Sequence, residues 1–358
     1  MYTYEYLKNF TEQVFLKMGC NKEEAELCTD LFLSAEVRGI PSHGIIRIRD
    51  YYKLWKDKRI NSNPNMRIVH ETPSTAVVDG DNAIGMIAAS YSMKLAIEKA
   101  RQCGTGWVST RASNHYGIAG YYAIMALEHD MIGISMTNAN PLVAPLFSLS
   151  KMLGTNPIAV AIPAGKYPPF VADFATTPVA HGKLTVAAKR GDDIPFGLLQ
   201  DMDGKPSNDP SIIGRGGSML ALGGDYEHGS HKGFCLSAIV DIFSAVLSGA
   251  NFGPFVPPFV SNLKPNDKSV GEGTGHFFGA MRIDAFQPAS EFKAKMDEWI
   301  ETFKNSSPTP GTEGVLIPGE PERLKEAKIR KDGISLIPAV AVEIKGIADE
   351  LGIKFEVI

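Results

Sequence analysis

The sequence predicts a mixed α/β protein that lacks the doubly wound sheet of the Rossmann fold. Helical periodicity dominates both ends of the chain, and short apolar strands alternate with helices between them. A length of 358 residues allows two domains. No G-x-G-x-x-G sequence follows an apolar strand, and no P-loop sequence occurs. A phosphate-binding loop of either common type is therefore not expected.

The N-terminal part is predicted to form three helices, at 3–19, 21–38 and 41–58. Asn21 suits the N-cap of the second helix, and Pro41 suits the first turn of the third. The remaining predicted helices are 85–103, 116–129, 233–248, 290–304, 320–330 and 340–351. Strands are predicted at 66–70, 75–79, 106–110, 131–138, 155–162, 170–174 and 276–286. The Gly- and Pro-rich stretches 192–225 and 251–274 are predicted loops.

Composition excludes several classes of protein. A net charge of −4 argues against nucleic-acid binding, which needs a basic surface. No long apolar run occurs, so we expect no membrane span, and the N-terminus lacks the apolar core of a signal peptide. The four cysteines are scattered without a C-x-x-C pair, which favours a reducing compartment and disfavours a zinc site. We therefore expect a cytoplasmic protein without a metal.

A first candidate site lies in Ser42-His43-Gly44-Ile45-Ile46-Arg47. Because His43 and Arg47 are four residues apart in a predicted helix, they are expected to share a face, which Tyr51 continues. Histidine suits proton transfer near neutral pH, and arginine can hold a carboxylate by two parallel hydrogen bonds. Reduction of a 2-keto acid needs both groups. The alternative is an ordinary solvated helix.

Three other segments offer polar groups at element boundaries, each with a structural alternative. His115 lies between a predicted strand and a predicted helix, where active-site residues are frequent, but it could instead cap that helix. Asp173 ends a strand and could bind a ribose or cap the next helix. His231 and Lys232 begin an apolar helix, whose N-terminus attracts anions such as a diphosphate; a solvated lysine is the alternative.

Seven segments together resemble the malate/L-lactate dehydrogenase family of non-Rossmann, NAD(P)-dependent oxidoreductases. They occur in the family's order across nearly the whole chain: SHGIIR (42–47), NHYG (114–117), TNANP (137–141), LGTNP (153–157), VADFATT (171–177), HKGF (231–234) and PGE (318–320).

The resemblance implies a cofactor domain built on a largely antiparallel sheet and a second domain that joins the N- and C-terminal segments. Residues 1–70 with 321–358 would form the substrate-side domain. Residues 71–320 would form the NAD(P)-binding domain, with a helical insertion around 228–304. The family resemblance also implies a homodimer whose active sites lie near the subunit interface. The segment 183–227 looks short and turn-rich beside the family pattern, which leaves the rim of the cofactor pocket undetermined.

The resemblance also assigns expected roles to residues. His43 or His115 would be the acid/base, and Ser42 and Arg47 would bind the substrate. The positions expected to hold NAD or NADP are Ala139, Asp173, Phe174, Ala175, His231, Lys232, Pro318, Gly319 and Glu320.

The expected reaction interconverts a small 2-hydroxy acid and its 2-keto acid, with malate or L-lactate as the first candidates. Ureidoglycolate dehydrogenase and piperideine- or pyrroline-2-carboxylate reductase are alternatives within the family. A cofactor-binding protein without catalysis is an alternative from another class. A metal-dependent hydrolase is disfavoured, because His228 and His231 form the one close histidine pair and no carboxylate cluster accompanies them.

Overall fold

The structure, a computed structural model, describes residues 1–259 and 266–358, apart from the side chains of residues 185, 186 and 189. Its strands are β1 (Arg67–Glu71), β2 (Thr75–Asp79), β3 (Thr105–Ser113), β4 (Met131–Thr137), β5 (Ile158–Ile162), β6 (Phe170–Phe174), β7 (Leu199–Gln200), β8 (Pro206–Ser207), β9 (Ser218–Met219) and β10 (Thr274–Arg282). Its α-helices are α1 (Tyr4–Lys17), α2 (Lys22–Val37), α3 (Ile48–Lys56), α4 (Gly85–Cys103), α5 (Ala119–Met125), α6 (His181–Arg190), α7 (Ser230–Asp241), α8 (Ala289–Lys304), α9 (Glu320–Asp332) and α10 (Pro338–Leu351).

A seven-stranded sheet in the order β1-β2-β3-β10-β4-β5-β6 lies at the centre of the described chain. The pair β2–β3 is parallel, and the other five neighbouring pairs of this sheet are antiparallel. The prediction of a largely antiparallel, non-Rossmann sheet is confirmed, because a doubly wound sheet requires adjoining parallel strands. Strands β7, β8 and β9 form a separate small sheet.

Glycines in the sheet allow helices to approach both faces. A Cβ at Gly106 would lie 2.1 Å from the carbonyl oxygen of Ala96 in α4, so α4 packs directly on β3. On the opposite face, a Cβ at Gly275 would lie 2.1 Å from the carbonyl oxygen of Ser244. Ser244 belongs to a π-helical turn, Ile242–Val246, that continues α7. The central strands are therefore covered on both sides.

The two ends of the chain pack against each other. Tyr2 pairs with Ile334 through backbone hydrogen bonds in both directions, each 2.9 Å long. The ring of Tyr2 stacks on Phe355 at 5.5 Å. A smaller core, separate from the main one, is formed by Val143, Leu153, Leu184, Leu199, Met219 and Ala221. The division into domains at residues 70 and 320 stays a prediction.

Three predictions of local structure are wrong. Residues 41–47 form two short 3-10 turns, so α3 begins at Ile48 and not near residue 41. Helix α6 was not predicted, because no capping side chain marks its start. The predicted loop 192–225 contains the small sheet. The strand predicted at 276–286 is present as β10 in the middle of the main sheet, while a helical insertion around 228–304 stays a prediction.

No helix in the described parts of the chain has the length and apolar character needed to span a membrane.

Candidate active site

A buried carboxylate shapes the turn that carries Ser42 and His43. The backbone N–H of Ile45 donates a 2.8 Å hydrogen bond to Oε1 of Glu36, which lies in α2 and is 5% exposed. A Cβ at Gly44 would lie 2.3 Å from the same oxygen, so this position requires glycine. The chain bends at Gly44, with φ −96° and ψ −141°. His43 and Arg47 therefore do not share one α-helical face, and that prediction is wrong.

Arg47 is held by its own segment. Its Nε donates to the carbonyl oxygen of Ser42 at 2.7 Å, and its Nη1 donates to Oδ2 of buried Asp50 at 3.3 Å. Its Nη2 makes no hydrogen bond to any residue that the structure describes. Ser42 Oγ lies 2.9 Å from Nδ1 of His43. The turn thus fixes the guanidinium and leaves one edge for an anion.

Tertiary packing brings the two candidate histidines into one site. The rings of His43 and His115 stack with their centres 5.5 Å apart and their planes 18° apart. The hydroxyl of Tyr51, a buried residue of α3, lies 2.8 Å from Nδ1 of His115. The strand–helix junction after β3 thereby meets the turn at Ser42.

Sequence reasoning missed two residues of this site. Phe259 stacks on His115 with ring centres 4.0 Å apart, and the Arg47 guanidinium lies 5.6 Å from the centre of the Phe259 ring. An apolar residue in a Pro-rich loop gives no local signal for such a role. His181 begins α6 and precedes Gly182, where an added Cβ would lie 3.5 Å from Cβ of Ser42.

His181 also lines a cavity of about 380 Å³. Its other lining residues come from α6 and the segment before β9: Leu184, Ala188, Pro210, Ser211, Ile213 and Gly214. The cavity is mainly apolar, and α6 forms one of its walls.

Both candidate imidazoles have pKa values that favour the neutral form at pH 7. Each ring keeps part of its surface accessible, but protein surrounds it on most sides. Burial, and then the nearby Arg47 charge, lowers the pKa of His43 to about 4. Burial, followed by the charges of His43, Arg47 and His276, lowers the pKa of His115 well below its usual 6.5. Neutral imidazole can accept a proton, so either ring has the protonation state that a general base needs.

His276 is a buried residue that packs next to the candidate site. It is fully buried in β10, with Nδ1 2.7 Å from Thr137 Oγ1 and Nε2 2.7 Å from Ser113 Oγ. Its ring stacks on Tyr116 at 4.7 Å with an interplanar angle of 8°. His276 therefore ties three central strands together directly below the residue that follows His115.

Two of the predicted cofactor segments meet along β6. The N–H of Val171 donates to the carbonyl oxygen of Pro318 at 3.0 Å. Gly319 has φ +90°, and a Cβ there would lie 3.0 Å from Cβ of Val171. The carboxylate of Glu320 accepts hydrogen bonds from Lys304 Nζ at 2.8 Å and from the backbone N–H of Ile317 at 3.1 Å. Residues 318–320 are thus attached to the strand that carries Asp173 and Phe174.

Asp173 interacts with a helix that does not follow it in sequence. Its Oδ2 accepts a 2.7 Å hydrogen bond from the N–H of Gly120 in the first turn of α5. Desolvation by the surrounding protein raises the pKa of Asp173 to about 6, and the hydrogen bond from Gly120, one of the first N–H groups of α5, partly offsets this by stabilising the carboxylate. Asp173 and Phe174 are both exposed, and Ala175 is half-buried. A role of these three residues in cofactor binding stays a prediction.

Ala139 and α7 are connected through Asn156. Oδ1 of Asn156 accepts a hydrogen bond from the N–H of Ala139 at 3.0 Å. Nδ2 of Asn156 donates to the carbonyl oxygen of Ser237, in α7, at 3.1 Å. The TNANP and LGTNP segments therefore pack against the apolar helix.

The first turn of α7 lies near the end of β6. A Cβ at Gly233 would lie 2.1 Å from the carbonyl oxygen of Leu222, whose N–H donates to Thr176 at 3.0 Å. His231 and Lys232 are exposed on this turn. The N-cap, Gly229, provides no side-chain hydrogen bond. The segments that are predicted to bind the cofactor are thus connected by contacts around β6 and α7.

Among the described residues, no group of three or more His, Cys, Asp or Glu side chains is arranged to hold a metal ion.

The fold, which lacks a Rossmann sheet, is shared with solved malate and sulfolactate dehydrogenases. Residues 2–345 match the family model described as malate/L-lactate dehydrogenase, and the chain belongs to this family.

Relatives match over nearly their whole length. A malate dehydrogenase of Pyrococcus abyssi is 42% identical over 349 residues, which are 97% of this chain and 94% of that protein. An L-sulfolactate dehydrogenase of Methanocaldococcus jannaschii is 39% identical, covering 98% of this chain and 96% of that protein. The solved malate dehydrogenase of Pyrococcus horikoshii OT3 superposes with a TM-score of 0.89 at 38% identity, over 99% of this chain and 96% of that chain.

Proposed function

We propose that this protein interconverts a small 2-hydroxy acid and its 2-keto acid, using NAD or NADP, with malate and oxaloacetate as the first candidate pair. The observation that carries the proposal is the grouping of His43, His115 and Arg47. It combines two neutral imidazoles with one anion-binding edge. The malate dehydrogenase at 42% identity supports the substrate class.

In the oxidation direction, Arg47 binds the carboxylate of the hydroxy acid through charge-assisted hydrogen bonds. Ser42 Oγ supplies a further hydrogen bond to the same substrate. His43 or His115 accepts the proton of the 2-hydroxyl group as the carbonyl forms. Proton transfer of this kind contributes about 10²–10⁴-fold to a rate.

In the reduction direction, the same imidazole must first be protonated. A bound keto acid brings negative charge next to Arg47, which offsets the positive charge that lowers both histidine pKa values. The imidazolium then donates its proton to the oxygen at C2.

The residues around β6 and α7 fit a nicotinamide cofactor. The first turn of α7 has no side-chain cap, and the positive end of this helix together with the Lys232 ammonium can attract a diphosphate. We propose that His231 and Lys232 hold the diphosphate, while Ala139, Asp173, Phe174, Ala175, Pro318, Gly319 and Glu320 surround the rest of the cofactor. A bound nicotinamide supplies the hydride acceptor or donor for C2 of the substrate.

We also propose a homodimer that buries the outer face of α7 and its π-helical turn. Five large apolar residues, each at least 40% exposed, recur there at helical spacing: Ile239, Ile242, Phe243, Val246 and Leu247. No charged residue occurs between 242 and 250. A two-fold interface places the same surface on both subunits, so an uncharged apolar helix can be covered by its own copy.

Light scattering tests the dimer. Leu247→Glu is expected to halve the molar mass, because the carboxylate would be buried without a partner. Leu324→Glu, at an exposed leucine of α9, is the control and should leave the mass unchanged. A wild-type monomer at micromolar concentration contradicts the proposal.

The domain division at residues 70 and 320 and the cytoplasmic location remain predictions.

Absorbance at the nicotinamide band tests the catalytic function. The purified protein is mixed with NADH or NADPH and with oxaloacetate, pyruvate, sulfopyruvate, a cyclic imino acid or, in the oxidative direction, ureidoglycolate. Turnover of a 2-keto acid supports the proposal, while turnover of the imino acid or of ureidoglycolate alone supports those family alternatives. Cofactor binding without any turnover supports the non-catalytic alternative.

Variants then test the residue roles. Arg47→Ala is expected to raise KM about 10–100-fold, because a charge-assisted hydrogen bond is lost. His43→Ala and His115→Ala separate the two candidate bases, since loss of the true base lowers kcat about 10²–10⁴-fold. His129→Ala, at an exposed histidine outside the site, is the control.

A further inference from the structure

The hydroxyl of Tyr51 touches two atoms of the same residue. It lies 2.8 Å from Nδ1 of the His115 ring and 2.8 Å from the backbone carbonyl oxygen of His115. Tyr51 is 1% exposed, and its ring packs edge-on against Phe32 and Phe259. Burial raises the pKa of Tyr51 well above 10, so the phenol keeps its proton.

Proton counting decides which tautomer satisfies both contacts. A carbonyl oxygen only accepts, so the single phenolic proton is donated to it. The contact with Nδ1 is then a hydrogen bond only if Nδ1 carries a proton and donates it to the phenolic oxygen. If Nδ1 were unprotonated, one of the two 2.8 Å contacts would place lone pairs against each other.

One contact favours the opposite tautomer. The N–H of Gly117 points at Nδ1 of His115 from 3.3 Å. This distance is beyond the usual range of an N–H hydrogen bond, whereas both Tyr51 contacts lie within it. The two shorter contacts therefore outweigh the longer one.

The imidazole is also held in place. His43 stacks on the His115 ring at 5.5 Å, and Phe259 stacks on it at 4.0 Å. The hydrogen bonds that the described residues make to this ring involve Nδ1, so Nε2 is the nitrogen left for a substrate.

We propose that Tyr51 is a positioning residue that holds His115 in the tautomer protonated at Nδ1, so that the lone pair of Nε2 faces the substrate hydroxyl. This rests on the proposed dehydrogenase function and assigns the base to His115. In oxidation, the hydroxyl proton moves to Nε2, and the resulting imidazolium is stabilised because Nδ1–H still donates to the Tyr51 oxygen. In reduction, the same proton returns from Nε2 to the oxygen at C2.

Nitrogen-15 NMR of histidine-labelled protein tests the tautomer without any turnover. The His115 signals are assigned as those lost in His115→Asn. In the wild type at pH 7.5, we expect a protonated Nδ1 and an unprotonated Nε2. In Tyr51→Phe, the Gly117 contact remains and the proton is expected to shift toward Nε2.

Kinetics provides the second readout. Tyr51→Phe is expected to lower kcat for hydroxy-acid oxidation about 10²-fold, with KM changed less than about threefold, because proton transfer is lost and carboxylate binding is kept. Tyr52→Phe is the matched control. The hydroxyl of Tyr52 donates to Glu350 at 2.8 Å, outside the site, so both readouts should equal those of the wild type.

The outcomes separate the two proposals. A wild-type spectrum that shows His115 protonated at Nε2 overturns the positioning role. If Tyr51→Phe does not fold, the wild-type spectrum alone decides the question. An unchanged tautomer and kcat in folded Tyr51→Phe overturn it as well. A protonated Nδ1 that shifts in Tyr51→Phe, in a protein that turns over no substrate, keeps the tautomer assignment and refutes the dehydrogenase function.

Discussion

The carboxylate of Glu36 accepts a hydrogen bond from the N–H of Ile45 and thereby fixes the turn that presents His43 and Ser42. Burial raises the pKa of Glu36 to about 7. Glu36 has no ion-pair partner among the residues that the structure describes, and a buried carboxylate without one is costly when it ionises. Glu36 therefore holds the turn in place but lowers the stability of the folded protein, and this effect grows as the pH rises and the carboxyl ionises.

Glu36→Gln is expected to stabilise the protein at pH 8. The folded pKa of Glu36 lies above its unfolded value of 4.5, so stability falls as pH rises from 4.5 through 7, by at most about 3 kcal/mol. The glutamine oxygen can still accept from Ile45 and carries no charge. Urea unfolding at pH 5 and pH 8 checks this; an equal pH dependence in both proteins contradicts it.

The two directions of the reaction should show different pH profiles. Because the pKa of His43 is about 4 and that of His115 is also lowered, the base is neutral from pH 8 down to about pH 5. For oxidation, kcat/KM should stay constant over this range. For reduction, the acid form is required, and kcat/KM should rise about tenfold for each unit by which the pH falls. Initial rates in a constant-ionic-strength buffer series measure both, and identical profiles would refute the assignment.

His276→Gln should flatten the loss of stability in acid. Burial lowers the pKa of His276 to about 3, below its unfolded value of 6.5. The neutral form therefore favours folding above pH 6.5, and this contribution to stability is lost as the pH falls from 6.5 towards 3. The variant loses good hydrogen bonds to Thr137 and Ser113, so we expect it to be about 1–3 kcal/mol less stable at pH 7.5. Between pH 6.5 and pH 4, however, its stability should decline less.

Urea unfolding at several pH values measures this effect. His70→Gln, at an exposed position in β1, is the control and should follow the wild type throughout. If His276→Gln loses stability in acid as steeply as the wild type, another group causes the acid dependence.

Lys232→Ala should weaken cofactor binding about tenfold, since one charge at the start of α7 contributes about 1–2 kcal/mol to the binding of an anion. Quenching of protein fluorescence by NADH and NADPH gives the dissociation constants, and comparison of the two ligands also shows which one is preferred. Lys345→Ala, at an exposed lysine of α10, removes the same charge elsewhere and should have no effect. Equal affinities in Lys232→Ala and the wild type would place the diphosphate at another site.

Hydrophobic periodicity located most helices and strands. It reports which face of a segment is buried, and residues close together in the sequence encode that face. It located α4 and β2 with the bounds that the structure has. It failed at 41–47, where the N–H of Ile45 donates to Glu36 of another helix and the chain forms two 3-10 turns. It also missed α6, whose start carries no capping signal.

The sequence by itself determined the non-Rossmann fold class, the family, and the segments that carry the candidate site, because glycine patterns and ordered motifs are local. Only the tertiary structure decided that His43 and His115 stack, that Phe259 covers His115, and that Tyr51 meets Nδ1. These contacts join residues far apart in the chain. Their distances follow from how α3, the end of β3 and the loop before β10 pack, and no spacing within one segment encodes that packing.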